Sequence, residues 1–207
     1  MSKKRFHRSA VAAAGAVTAA LLLAACGGDD DSAEHAGHGG DTTAPEHNEA
    51  DVSFAQGMIP HHQQAVEMAD LARERAGSEE VRALAEQIRA AQDPEIETLT
   101  GWLEEWGEEV PGAGMDHSGH GSGEAGEGHE MAGMMSEAEM AELANASGAA
   151  FDTAFLEMMV EHHRGAVEMA EAERADGAYE PALDMAEDIT TSQTAEIDQM
   201  NQLLDEG

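Results

Sequence analysis

Cysteine, lysine and aromatic side chains are nearly missing from this sequence, and each shortage closes off a class of structure or function. Cys26 is the only cysteine, so the chain can form no internal disulfide, and any further soft sulfur ligand must be methionine. Lys3 and Lys4 are the only lysines, and basic residues number 10 against 43 acidic ones, a formal net charge of −33. Nucleic acid is excluded as a partner, because its affinity comes from neutralised phosphates. An anionic bilayer would repel the chain as well. Aromatic residues make up 3% of the sequence, so a core must be built largely from Ala, Leu, Ile, Val and Met. There is no His-Glu-x-x-His motif of a zinc protease and no Glu-x-x-His of a di-iron oxidase.

What is present begins with an export signal. Lys3, Lys4, Arg5 and Arg8 precede the run SAVAAAGAVTAALLLAAC, which is short and Ala-rich for a membrane span and has the layout of a secretory signal peptide. Its end, Leu23-Ala24-Ala25-Cys26, resembles the lipobox of bacterial lipoproteins. That resemblance implies acylation of Cys26, which becomes the first mature residue. It also implies an exported domain, lipid-anchored to the outer face of the bacterial cell membrane, with the lipid as its only membrane contact.

Residues 26–50 are rich in Gly, Asp, Thr and Ala with no large apolar side chain, and read as a disordered tether. Residues 51–207 then hold an internal repeat. A shift of 101 residues lays DVSFAQGMIPHHQQAVEMA (51–69) on DTAFLEMMVEHHRGAVEMA (152–170), with ten identities that include Met58/Met159, His61/His162, His62/His163 and Met68/Met169. The same shift lays residues 84–99 on 185–200 without a gap, matching Ala, Glu, Ile, Gln, Glu and Ile. The unit is therefore a duplicated pair of elements. Repeat one spans 51–107, a Met/His-rich loop 108–135, and repeat two 136–207.

Each element reads as a helix. Strand formers are scarce, and apolar residues recur at three- and four-residue steps, as in Val81, Leu84, Ala85 and Ile88. Ser78 is placed to cap one helix. Ser136 with Glu139 forms a capping box for a short one, and Pro181 suits a first turn. Pro60 and Pro94 should kink or break their helices. The expected fold is all-α: a four-helix bundle of two repeated helical hairpins, with approximate internal two-fold symmetry.

On a helical wheel centred on Met58, residues His61, His62, Ala65, Val66, Met68 and Ala69 fall within about 80° of it, while Glu67 faces away. The second copy repeats the arrangement. Two adjacent histidines on an apolar face, twice over, need partners for their ring nitrogens and resist protonation. A transition metal answers both demands: imidazole is a common nitrogen ligand and thioether sulfur favours Cu(I). The candidate metal ligands are His61, His62, His162 and His163 with Met58 and Met159. Met68 and Met169 share the face, where packing is the commoner role of Met. A weaker set lies in the loop: Met115, His117, His120, His129, Met131, Met134 and Met135. Asp51 and Asp152 lie too far along the helix to join the site and read as residues that favour a helix start.

The pattern F-x-x-x-M-x-x-H-H-x-x-A-V-E-M-A, found twice, resembles the bacterial ferritin-like family catalogued as domain of unknown function 305, over about residues 51–204. The resemblance implies paired helices and, since some exported members are implicated in copper binding and tolerance, copper as the ion. The expectation is an extracytoplasmic lipoprotein that binds copper, as Cu(I) or Cu(II), for buffering, sequestration or tolerance, and is not an enzyme. Another transition metal stays open as the ion, and no protein partner is indicated. Two alternatives also remain: a metal-free structural or interaction protein of the envelope, and a ferritin-like metal-dependent oxidoreductase.

Overall fold

In the computed structural model, which describes residues 47–112 and 132–206, five helices follow one another: α1 (Glu49–Arg75), α2 (Glu79–Trp106), α3 (Glu137–Asn145), α4 (Ala149–Asp176) and α5 (Glu180–Glu206). The all-α expectation holds, with α1–α2 and α4–α5 as the two repeated hairpins. The hairpins meet chiefly through α1 and α4. These two run antiparallel: Asn48, ahead of α1, donates from its side-chain amide to the carbonyl of Asp176 at the end of α4 (2.8 Å). At the other end, the Gly148 N–H donates to the Arg75 carbonyl (2.8 Å).

Local sequence sets the helix ends. Asn48 and Asp51 form a capping box on α1, Ser78 caps α2, and Ser136 with Glu139 forms the expected box on α3. Gly107 closes α2 in the left-handed conformation, at φ 75°. Of the two outcomes expected at Pro60 and Pro94, a kink or a break, the break does not occur. Both α1 and α2 run through them. Each proline costs about 3 kcal/mol in a helix interior, and in a long helix buried along one face tertiary packing overrides that cost.

Asp51 and Asp152 do more than start their own helices. Asp51 accepts hydrogen bonds from the N–H groups of Ala178 (3.1 Å) and Tyr179 (2.9 Å), at the start of α5. Asp152 accepts from Gly77 and Ser78 (2.8 Å each), at the start of α2. Each repeat thus supplies the carboxylate that caps the second helix of the other, at an N-terminus where negative charge is favoured. The two repeats are stitched crosswise at both ends.

The core divides into two apolar clusters. One gathers Phe54, Met58 and Ile59 with Leu99, Leu103, Ala166, Ala170, Ala186 and Ile189. The other gathers Ala65, Met68 and Ala72 with Leu84, Ile88, Phe151, Phe155, Met159 and Met200. The scarce aromatics are grouped: the rings of Trp102 and Trp106 meet Tyr179 edge-on, with centroids 5.4 and 5.2 Å away. Among the described residues no helix is long and apolar enough to cross a membrane.

Candidate metal centre

The four paired histidines come together where α1 and α4 cross. All four have no accessible surface, and they are the only histidines buried among the described residues. The rings of His61 and His162 meet between the two helices, tilted 41° to each other with centroids 3.8 Å apart. His62 flanks His61, and His163 flanks His162, each at 6.4 Å. The helical repeat explains the burial. On each helix the two histidines share a face with the buried alanine three or four residues on, Ala65 or Ala166.

Each repeat also contributes a carboxylate from its second helix. His62 Nε2 lies 2.7 Å from Glu95 Oε2, and His163 Nε2 lies 2.6 Å from Glu196 Oε2. Sequence reasoning passed over both glutamates. The signal was available, since Glu95 and Glu196 match under the same 101-residue shift, but only the hairpin geometry aims them at the histidines. Gln92 and Gln193, one turn earlier, are likewise repeated and buried, and the side-chain carbonyl of each has no hydrogen-bond partner.

His61 breaks the symmetry. Its Nε2 bonds the carbonyl of Ala132 (3.2 Å), in the segment that leads from the loop to α3. That segment is held against both central helices. Gln64 grips the Met135 backbone from both sides, donating to its carbonyl (2.8 Å) and accepting from its N–H (2.7 Å). Gly165, the repeat equivalent of Gln64, leaves room for the chain: a Cβ there would sit 1.8 Å from the Ala132 carbonyl oxygen.

Of the candidate sulfur ligands, Met58 and Met159 are fully buried one turn before the histidines, in opposite clusters. Met169 packs against the cluster of Met58, and Met68 belongs to that of Met159. Each cluster therefore holds one of these four methionines from each repeat. Met134 and Met135 are half-buried, and Met135 packs against the cluster of Met159. Met115, His117, His120, His129, Met131 and Cys26 lie outside the described residues.

Burial disfavours charge here. It is the main cause holding His61 at about 3, with the neighbouring His62 adding to the effect. Burial and the neighbouring His61 keep His162 well below the ordinary histidine value. Five ring nitrogens have no hydrogen-bond partner: Nδ1 of all four histidines and Nε2 of His162. A buried polar atom without a partner costs about 1–3 kcal/mol, and a metal ion supplies the missing partner. As placed, no three His, Cys, Asp or Glu side chains among the described residues converge on one point. The fit to a metal therefore rests on the donor set: buried imidazole nitrogens without partners, with the buried thioethers of Met58 and Met159 one helical turn earlier in the sequence, donor types that suit copper.

A family model described as Domain of unknown function (DUF305) matches residues 51–204. Among solved structures, a DUF305 protein from Streptomyces coelicolor is 34% identical, at TM-score 0.65, over 76% of this chain and 93% of that one. A DUF305 fragment from Deinococcus radiodurans is 30% identical, at TM-score 0.67, over 79% of this chain and all of the fragment. CopM in its Cu(II)-bound form is 33% identical, at TM-score 0.61, over 75% of this chain and 96% of that one. CopM has also been solved in Cu(I)-bound and Ag-bound forms. A comparison with curated proteins finds no match.

Proposed function

This chain belongs to the DUF305 family, and on that premise we propose that it is an extracytoplasmic copper-binding protein whose paired histidines form the principal site. The observation that carries the reading is the buried histidine quartet with five unpartnered ring nitrogens. CopM, similar over three quarters of this chain, is a protein solved with Cu(I), Cu(II) and silver bound. Silver(I) stands in for Cu(I) as a soft ion, and Met58 and Met159, buried one helical turn before the histidines, are thioethers that suit that preference.

The protein buffers or sequesters the ion, and no step of turnover is assigned to it. The signal-like N-terminal run and the lipobox-like sequence ending at Cys26 support export and a lipid anchor as part of this reading. The Streptomyces coelicolor relative carries the description of a secreted protein, which agrees with export.

The test is metal stoichiometry and competition affinity of the chain for Cu(I), Cu(II), Zn(II) and Fe(II), against a variant with Ala at His61, His62, His162 and His163. Tight copper binding that the variant loses is the expected result. Equal binding by both proteins would move the site to the loop. No binding by either would make the quartet structural. Turnover with iron or manganese would favour an oxidoreductase instead.

A further inference from the structure

The quartet has a feature that the copper reading does not require: its hydrogen bonds are all made by one type of nitrogen. His62 reaches Glu95, His163 reaches Glu196 and His61 reaches the Ala132 carbonyl, each through Nε2. A backbone carbonyl can only accept, and a carboxylate is an acceptor, so in all three contacts the Nε2 nitrogen carries the proton and donates. An imidazole that ligates a metal is neutral, so a ring protonated on Nε2 keeps its lone pair on Nδ1. Those Nδ1 atoms are buried and unpartnered in all three rings.

We propose that Glu95, Glu196 and the Ala132 carbonyl are proton anchors that lock His62, His163 and His61 as Nε2–H tautomers, so that metal is taken through Nδ1. This rests on the metal-binding reading above. Glu95 and Glu196 are then positioning residues: they do not touch the ion but fix ring orientation and raise the basicity of the ligating nitrogen. Their places under the same 101-residue repeat as the histidines make each hairpin a complete unit of His-His motif and anchor. His162 makes no hydrogen bond of full geometry through either nitrogen, only a weaker contact with the His61 backbone, so no acceptor fixes its tautomer and it can share an ion with His61, whose ring centroid lies 3.8 Å away. The rival arrangement puts the ion between Nε2 and the carboxylate, with Glu95 and Glu196 as direct ligands. It requires the opposite tautomer, with the proton on Nδ1.

The experiment uses the full chain labelled with 15N in its imidazoles, metal-free and then titrated anaerobically with Cu(I), which is diamagnetic. Long-range proton–nitrogen correlations read the tautomer of each ring. The expected result is Nε2–H at His61, His62 and His163 before metal, and a Cu(I)-induced shift at their Nδ1 atoms. Glu95→Ala with Glu196→Ala should leave the anchored rings as tautomer mixtures and weaken Cu(I) binding about 10- to 100-fold. A proton on Nδ1 in the metal-free wild type, or a Cu(I) shift at Nε2, overturns the inference while leaving copper binding intact. Absence of any Cu(I) binding by the wild type overturns the copper reading, and with it the ligation step. The wild-type spectra decide between these outcomes even where the double variant folds poorly.

Discussion

Glu173 acts on the stability of this fold against the trend set by the buried His61 and His162, lowering it as pH rises. Its carboxyl is 2% exposed, in the last turn of α4, and neither oxygen meets a hydrogen-bond partner at full geometry. Burial first, then the proximity of Asp51, push it up to about 8, from an ordinary value of 4.5. Asp51 moves the other way. Burial opposes its charge, but Glu173 and the N–H groups of Tyr179, Asn48 and Ala178 outweigh that and hold it below 3.8. The pair therefore keeps one proton, on Glu173.

The signs follow from linkage. Between pH 4.5 and 8 the folded state holds a proton that the unfolded chain releases, so the stability due to Glu173 is full below 4.5 and is lost as pH rises through 8. His61 and His162, held below 6.5, act oppositely: their contribution is complete above 6.5 and is lost as pH falls. Asp51 acts only at lower pH still. Comparison with a Glu173→Gln variant isolates Glu173 from pH 6.5 to 8, because every other titration is common to the two proteins. One differential proton is worth about 1.4 kcal/mol per pH unit, which integrates to roughly 1.6 kcal/mol across the window as a ceiling. Exposed Arg174 and Asp176 beside it bring solvent close, and screening lowers the expected loss to about 1 kcal/mol. Glu173→Gln keeps the shape and removes the titration, and Ala72, its repeat equivalent, shows that the architecture does not need a carboxyl there. Urea unfolding of the metal-free chain at pH 6.5, 7, 7.5 and 8 should give the variant a flatter pH dependence by that amount. Parallel curves for the two proteins would refute the shared-proton account.

Gly165→Ala and Gly101→Ala should have opposite effects, measured by urea unfolding. The first places a Cβ 1.8 Å from the Ala132 carbonyl oxygen, so the segment must shift; we expect a loss of about 1–3 kcal/mol and a changed Nε2 signal at His61. The second meets nothing within 4 Å on the exposed side of α2, and should gain about 0.5–1 kcal/mol as a helix-interior glycine is replaced. Asp152→Ala removes two hydrogen bonds that cap α2 from the other repeat, and should cost about 1–2 kcal/mol. A thermal melt unchanged by this substitution would show that the crosswise caps contribute nothing.

Much of this was legible in the sequence because duplication makes pattern visible. The repeat gave the hairpins, and periodicity gave the buried face of each His-His motif. Ser78 and Ser136 act within a few residues of their own position, so local chemistry is enough to read a cap. The misreadings share one cause. Pro60 and Pro94 were judged by the hydrogen bond each removes, whereas packing along a long helix decides whether it continues. Asp51 and Asp152 do stand in the first turns of their own helices, as expected, but each also accepts hydrogen bonds at the start of a helix in the other repeat, which the sequence did not suggest. Glu95 and Glu196 lie thirty-three residues from the histidines they bond, a separation that only the hairpin turn closes.

The amino-acid order alone fixed the all-α class, the two-fold repeat, the acidic surface and the residue types available to a metal, because these depend on composition, local propensity and spacing. Tertiary structure decided which groups meet. Antiparallel packing of α1 on α4 brings His61 against His162, the hairpin turns bring each glutamate to its histidine, and the segment before α3 makes His61 unlike its repeat partner. Such contacts depend on how distant segments pack, and neither periodicity nor composition encodes that in any short window of the chain.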